Sequence, residues 1–458
     1  MVVILAGLCV LRRNSHKIYW LLAGGAFFYG YWDWRFLGLL LFICVFDFYM
    51  GRLIYAACGK RRKRLFVLNV VVNLSILIVF KYLNFFISSL DAALSPLGLH
   101  LGTLNIILPI GISFFVFEVI SYCVDVYRGD LKPYESLRDF ALFIFFFPRM
   151  IAGPIIRASQ FLPQLRREIR VTLPNLQRGG QLFLLGLTKK LVVADRLAGF
   201  VDTVFADPAR YSTGSVWQAV IAYSIQIYCD FSGYSDMAIG LARMMSFELP
   251  ENFNMPYVAT SLVDFWRRWH ISLSTWLRDY LYLSIGGLRK HWFNRYRNVI
   301  ITMLLGGLWH GAGWNFALWG GLHGLGLAVN HWWEGFRKRR GMVQGRWWGK
   351  ALGWAATFSF VTLCWVFFRA PSFTHAATVF GKMFGRVPGG MGWISEPLLV
   401  IAPLVVLAHI IGLWSKNEDR VPTLVSHRFA HIAFLFFWVI GIFFLAEVES
   451  TPFIYFQF

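Results

Sequence analysis

The sequence is poor in charged residues and in recognisable cofactor motifs. Asp, Glu, Lys and Arg make up 15% of its 458 residues, whereas a typical soluble domain carries about 25%. It contains no glycine-rich nucleotide loop, no HExxH pair and no CxxC pair, so nothing predicts ATP use, a redox cofactor or a metal site. The six cysteines are scattered through apolar segments and predict neither a disulfide framework nor zinc ligation.

Apolar residues dominate what is present. Hydrophobic residues make up 57% of the chain and aromatic residues 18%, including 45 Phe and 20 Trp, and the mean hydropathy is +0.55. One water-soluble core could not bury this much apolar surface. The composition therefore predicts a protein that crosses a membrane several times.

The formal charge of +20 does not indicate a nucleic-acid partner, because the basic residues occur in short clusters between apolar runs. Such clusters are typical of cytoplasmic loops that fix orientation and contact anionic lipid headgroups. We expect a multi-pass membrane protein whose first apolar segment is retained. The clusters are Arg12, Arg13 and Lys17; Lys60 to Arg64; Arg166, Arg167 and Arg170; and Arg337 to Arg340.

The apolar runs predict an all-α fold with roughly eleven transmembrane helices. Pro148 and Pro154 should break the helix between them. The predicted runs lie at about 18–34, 36–57, 65–90, 104–127, 137–151, 178–205, 214–246, 299–333, 350–370, 394–414 and 428–447.

Residues 247–298 mix Trp and Arg too densely for a helix that faces lipid. Six apolar positions recur there at helical spacing, which indicates interfacial helices or a re-entrant segment. These positions are Phe265, Trp269, Leu273, Trp276, Leu277 and Tyr280. With no internal repeat or linker, we expect a single membrane-embedded domain over 1–458, made of a first bundle (1–135), a motif-bearing region (136–335) and closing helices (336–458).

Two histidines lie within this apolar, tryptophan-rich sequence, His270 in RRWHISLSTW and His310 in GGLWHGAGW. Ionisable side chains at membrane depth are costly to desolvate and commonly mark a functional path. Histidine is also the side chain best suited to proton transfer near neutral pH. The structural alternative is a satisfied core histidine at His310 and an interfacial histidine among Arg and Trp at His270.

The stretches ENFNMPYVATSLVDFWRRWHISLSTWLRDYLYLSIGG and LLGGLWHGAGWNFALWGGLHG closely resemble the membrane-bound O-acyltransferase family. FFPRMIAGPIIRASQFLPQL, QIYCDFSGYSDMAIG and the C-terminal PFIYFQF match in the same order. The resemblance is to the bacterial branch that acetylates polysaccharides such as alginate and cellulose. It implies a catalytic role for His310, a second polar role for His270, and a central funnel where donor and acceptor meet.

The resemblance further implies acetyl transfer from a cytoplasmic thioester, such as acetyl-coenzyme A, for O-acetylation of an extracytoplasmic polysaccharide. No bound cofactor is implied, and the implied location is the bacterial inner membrane, which the chain crosses several times. Branch members generally work with periplasmic acetyltransferases or other polysaccharide-modification proteins, so the direct acceptor is either a partner's hydroxyl or the sugar. A transporter or channel, or a scaffold of a polysaccharide export complex, is the alternative from another class.

The residues fit such chemistry on their own terms. Acyl transfer to a hydroxyl needs a base for its proton and stabilisation of the tetrahedral oxyanion. His310 is our candidate base, and His270 is expected to orient a substrate or carry the proton. Trp309 and Trp314 would wall a dry cavity beside them.

Most of the other polar residues in apolar sequence have two interpretations. His323 either lines the same cavity or packs in the core. Asp230 and Asp236 either orient a histidine or form salt bridges with Arg243, Arg267 or Arg278, and Arg267 is also a candidate for the cavity lining. Glu118 is expected to tie helices together, and Ser232 lacks the small neighbours of a nucleophile turn. Arg149, Arg157, Lys189 and Lys190 either contact the phosphates of coenzyme A or carry solvated loop charge.

Overall fold

The computed structural model describes residues 1–151, 153–287, 292–342, 347–414, 428–447 and 451–454. Within these ranges the secondary structure is helical, apart from one isolated bridge between Tyr211 and Met391. The prediction of an all-helical fold is confirmed for this part of the chain.

The chain forms two compact units, and the first comprises residues 1–180 with 238–250. A π-helical turn, Ile78–Tyr82, joins its fourth and fifth helices into one long apolar element. Its α-helices are α1 (Val2–Val10), α2 (Asn14–Asp33), α3 (Leu37–Ala56), α4 (Gly59–Leu77), α5 (Leu83–Leu94), α6 (Ile112–Arg128), α7 (Leu137–Phe145) and α8 (Ala158–Phe161).

Proline and glycine set two helix boundaries in this unit. The run expected at 104–127 begins as a helix only at Ile112, because Pro109 precedes Gly111, whose φ of +75° is left-handed. A side chain at Gly111 would also meet the carbonyl oxygen of Met150. The run expected at 137–151 ends as α-helix at Phe145, before a 3-10 turn that contains Pro148. The break predicted at Pro148 is therefore present.

The second unit comprises residues 181–237 with 251–458. Two helices, α9 and α11, contribute residues to both units. The α-helices are α9 (Leu173–Leu187), α10 (Asp195–Ala206), α11 (Thr213–Met244), α12 (Leu262–Arg268), α13 (Ile271–Trp276), α14 (Trp292–His310), α15 (Trp314–Arg339), α16 (Trp347–Arg369), α17 (Phe373–Met383), α18 (Glu396–Trp414) and α19 (Arg428–Leu445).

The helices α14 and α15 form a tight antiparallel hairpin, and they correct the expected single run at 299–333. The chain reverses between His310 and Trp314. Glycines at the crossing allow the two backbones to touch: a Cβ added at Gly320 would lie 2.2 Å from the Met303 carbonyl oxygen, and one at Gly324 would lie 2.8 Å from the Ile300 Cα. Small residues permit such close helix contacts within membranes. The reversal leaves His310 at the tip of the hairpin.

Several helices have the length and composition to cross a bilayer. Among the described residues these stretches are Asn14–Ala56, Gly59–Leu97, Trp347–Arg369 and Glu396–Leu413, and Ala433–Leu445 is a shorter apolar helix. Apolar side chains stay exposed along α3 and α4, as expected where helices contact lipid; they include Leu41, Phe42, Val45, Leu68 and Val71. The count of eleven crossings and the division at 135 and 335 stay predictions.

Candidate active site

His310 is the last residue of α14 and is buried against aromatic rings. The Trp309 and Trp319 rings each lie 5.1 Å from the imidazole between centroids, and the Phe368 ring lies at 5.4 Å. The helix ends there because Gly311 and Gly313 follow immediately. At Gly311 a side chain would collide with the Phe316 ring. The loop after His310 therefore packs tightly against the Phe316 ring.

His270 occupies the break between α12 and α13, and its side chain is fully buried. Its φ of +43° is left-handed, a conformation that is uncommon for a residue other than glycine and that must be held by its surroundings. The Phe231 ring meets the imidazole edge-on with 4.6 Å between centroids. The Nδ1 atom lies 3.1 Å from Oδ1 of Asn252.

The structure brings the two histidines together. Their ring centroids are 6.3 Å apart, and Trp309 contacts both rings, at 6.0 Å from His270 and 5.1 Å from His310. The six apolar positions noted around His270 in the sequence are all buried. The segment from 262 to 282 thus packs its apolar side chains into the protein interior beside the histidine pair.

A cavity of about 460 Å³ opens next to His310. Phe368 lines this cavity and also contacts the His310 ring, so one aromatic ring separates the cavity from the imidazole. Trp314 lines it as well, with 59% of its surface exposed, and its expected role as a dry wall beside the histidines stays a prediction. The remaining lining residues are Ala312, Gly313, Asn315, Phe316, Arg369, Ala370, Pro371, Ser372 and Phe373.

His323 lies one layer behind His310 on α15. Trp319 stands between them, with its ring 5.1 Å from His310 and 4.7 Å from His323. The indole N–H of Trp266 donates to Nδ1 of His323 at 3.3 Å. This fully buried imidazole is therefore part of the aromatic packing around the site.

The two acidic residues of α11 form salt bridges, but with lysines instead of the expected arginines. Asp236 pairs with Lys189 at 2.6 Å, and Asp230 pairs with Lys190 at 2.8 Å. Lys190 is also 2.7 Å from Asp195 and donates to the Thr451 carbonyl. Both carboxylates therefore belong to an ion network with lysines, and none of these bonds involves His270 or His310.

The same pairs correct the expectation for the basic residues. Lys190 and Arg149 are buried and already neutralised by carboxylates, Arg149 by Glu118, so they are not solvated loop charges. Arg157 is partly buried, and Arg267 is exposed to the surface. Glu118 ties α6 to the turn that carries Arg149, and it also accepts from the Ile156 backbone N–H at 3.3 Å.

Asn252 is the site residue that the sequence analysis did not single out. Its buried amide contacts His270, Ser272 and Ser235. The available signal was its position: a polar residue between Pro250 and Pro256, directly before the segment that carries His270. Neither spacing nor periodicity links position 252 to position 270, because the contact forms only in three dimensions.

Comparison with known proteins places the chain in a family. Residues 123–370 match the membrane-bound O-acyltransferase family. The chain is 38% identical to the "Probable alginate O-acetylase AlgI" of Pseudomonas putida over 99% of this chain and 97% of that protein. It is 45% identical to the protein of the same name from Azotobacter vinelandii, over 82% and 74% of the two chains.

A relative that is named for a different substrate is comparably similar. The "Peptidoglycan O-acetyltransferase" of Helicobacter pylori is 38% identical over 80% of this chain and 73% of its own. The matched family region includes both histidines and the hairpin that presents His310. The chain belongs to the membrane-bound O-acyltransferase family and is an O-acyltransferase.

Proposed function

We propose that this enzyme transfers an acetyl group from a cytoplasmic thioester, such as acetyl-coenzyme A, for O-acetylation of an extracytoplasmic polysaccharide of the alginate type. The observation that carries the proposal is the pair of buried imidazoles, with ring centroids 6.3 Å apart, inside the family region. The names of the similar O-acetylases and of the peptidoglycan O-acetyltransferase support acetyl as the acyl group and a cell-surface polymer as its destination.

His310 is the proposed base. It takes the proton of the acceptor hydroxyl while the hydroxyl oxygen forms a bond to the thioester carbonyl carbon. The resulting oxyanion collapses, the C–S bond breaks, and the departing thiolate receives the proton from His310. Atoms and charge balance over the step, and the imidazole returns to its starting form. His270 orients the reacting groups or relays that proton.

The surroundings of His310 support this assignment. Aromatic rings on three sides keep bulk water from the imidazole, and water exclusion strengthens electrostatic interactions and protects the thioester from hydrolysis. The cavity of about 460 Å³ beyond Phe368 is large enough for a small acyl or sugar group.

The proposed location is the bacterial inner membrane, where the donor is on one side and the polymer on the other. Periplasmic acetyltransferases or other polysaccharide-modification proteins are the proposed partners. The direct acceptor is then a hydroxyl of such a partner or of the polymer, and labelled acetyl distinguishes these two by the molecule in which it appears first.

The test compares His310→Ala with the wild type in membranes that contain the polysaccharide machinery and labelled acetyl-coenzyme A. We expect transfer to fall by about 10²–10⁴-fold, the usual contribution of general acid–base catalysis. Alginate and peptidoglycan are supplied in separate assays, since relatives of both names are similar to this chain.

His331→Gln is the matched control. His331 also lies on the α14–α15 hairpin, but its Nδ1 pairs with Arg295 at 3.4 Å. Equal expression and monodisperse elution of all variants are required first. Full activity of His310→Ala would overturn the assignment of the base, and equal losses in both variants would show a structural effect of histidine replacement.

A further inference from the structure

Asn252 holds His270 through a buried amide that is only 1% exposed. Its Oδ1 lies 3.1 Å from Nδ1 of His270 and 2.8 Å from the hydroxyl of Ser272. On the other side, its Nδ2 donates to the hydroxyl of Ser235 on α11 at 3.1 Å. The amide therefore bridges α11 and the break between α12 and α13.

The hydrogen bonds fix which atom of the amide faces the imidazole. The backbone N–H of Ser272 points at Oδ1 of Asn252 from 3.2 Å, and a backbone N–H can only donate. The atom it meets must therefore be the amide oxygen, which can only accept. Since the same oxygen contacts Nδ1 of His270, Nδ1 must carry the hydrogen of that bond. Nε2 is then the basic nitrogen of this ring.

The backbone around Asn252 supports the left-handed conformation of His270. The Asn252 carbonyl accepts from the Ile271 N–H at 2.9 Å, and the Asn254 N–H donates to the Arg268 carbonyl at 2.8 Å. Residues 252–254 thus brace residues 268–271 on both sides of His270. Strained residues persist where such contacts over-determine them.

We propose that Asn252 is a positioning residue for acyl transfer, which fixes the Nδ1–H tautomer of His270 and makes Nε2 the nitrogen that exchanges a proton with the reacting groups. The proposal rests on the role of His270 in the proposed function. Because the amide is neutral, it can fix the tautomer of His270 without adding a charge to the aromatic surroundings of the imidazole. Asp230 and Asp236 do not serve this purpose, because lysines engage them.

The test uses two replacements of Asn252 and one matched control, each assayed for acetyl transfer. Asn252→Ala removes the acceptor, and we expect kcat to fall about 10–100-fold, as for other side chains that orient a functional histidine, with little change in KM for the acetyl donor. Asn254→Ala is the control, because Asn254 bonds Arg268 through its backbone. Equal losses in Asn252→Ala and Asn254→Ala would overturn the proposal.

The pH profile separates positioning from a structural role. Asn252→Asp keeps an acceptor oxygen at the same place and adds a negative charge next to His270. The charge favours the protonated imidazole, so the acid limb of the pH–rate profile should move to higher pH, while kcat at high pH recovers above that of Asn252→Ala. An unmoved acid limb would contradict the proposal, and this variant still decides if Asn252→Ala fails to fold.

A double-mutant cycle separates the failure of this proposal from that of the proposed function. In a His270→Ala background, Asn252→Ala should cause no further loss, because its effect acts through the imidazole. Multiplying losses would overturn the positioning role. A fully active His270→Ala enzyme together with an inactive His310→Ala enzyme would also overturn it, while leaving the base assignment of the proposed function intact.

Discussion

At the scale of single residues, Trp319 offers a hydrogen-bond donor beside His310. Its indole ring packs edge-on against the imidazole, and its Nε1 has no hydrogen-bond partner among the described residues. A buried N–H without a partner costs about 1–3 kcal/mol. The Nε1 of Trp365 is in the same state, but of these two rings only that of Trp319 contacts His310. An oxyanion that forms beside His310 needs a donor of this kind.

We therefore expect Trp319→Phe to lower kcat by about 10²-fold, the lower end of the effect of removing one oxyanion donor. Trp365→Phe is the control, because Trp365 is equally buried, stacks on Trp319 at 5.6 Å, and loses the same ring volume. Both variants should show similar drops in thermal unfolding midpoint. Similar losses of kcat in both would assign Trp319 to packing alone.

The sequence was sufficient to find the histidines but not the side chain that orients one of them. His270 and His310 stand out because imidazoles are rare in long apolar runs. The family resemblance predicted that the two would converge, and their ring centroids lie 6.3 Å apart. Asn252 carries no such contrast, since asparagines are ordinary before a proline-bounded turn. Asp230 and Asp236 form salt bridges as predicted, but with Lys190 and Lys189 and not with arginines. The sequence analysis named these lysines without their partners, because the contact between the turn Thr188–Ala194 and α11 forms only in the folded chain.

At the scale of elements, the α14–α15 hairpin determines where His310 lies. The sequence predicted one apolar run over 299–333, because the short segment Gly311 to Gly313 does not visibly divide this stretch into two. Two helices result because Gly307 and Gly320 let the backbones approach, with a Cβ on Gly307 only 2.9 Å from the Gly320 Cα. Helix periodicity could be predicted from the sequence, whereas this reversal depended on backbone contacts between residues 13 positions apart.

The close packing of the hairpin leads us to predict opposite effects for alanine substitutions at two neighbouring glycines of α15. Gly320→Ala would place a methyl group 2.2 Å from the Met303 carbonyl oxygen, whereas Gly321→Ala meets nothing within 4 Å. We expect Gly320→Ala to lose about 1–3 kcal/mol of stability through overpacking and to lose activity as His310 is displaced. Gly321→Ala should be neutral or gain up to about 1 kcal/mol from helix propensity.

Thermal unfolding of the purified proteins in one detergent, followed by tryptophan fluorescence, measures both effects, and acetyl transfer is assayed on the same preparations. Equal unfolding midpoints for the two alanine variants would show that α14 and α15 do not depend on this close approach. Retained activity in a destabilised Gly320→Ala protein would show that the position of His310 tolerates a shift of the hairpin.

At the scale of the whole molecule, the distribution of charge predicts orientation. Two basic clusters flank α2 and α3, Arg12 to Lys17 on one side and Lys60 to Arg64 on the other. Each helix has 20 residues, about 30 Å of helix and enough for one crossing of the hydrocarbon core. Two successive crossings return the chain to its starting side, so both clusters should face the cytoplasm.

Cysteine labelling in intact cells checks this orientation. Cys58 is exposed directly before the second cluster, and Cys9 is the other exposed cysteine among the described residues. If the protein lies in the bacterial inner membrane, as proposed, a membrane-impermeant maleimide should label Cys58 of a Cys9→Ser protein only after that membrane is opened. Arg35→Cys, placed on the turn between α2 and α3 in a Cys9→Ser, Cys58→Ser protein, should instead react once the outer membrane is permeable.

Labelling of both positions from the same side would contradict two crossings by α2 and α3. It would also remove the basis for placing the thioester donor on the side of the basic clusters, because the cytoplasmic assignment rests on the same charges.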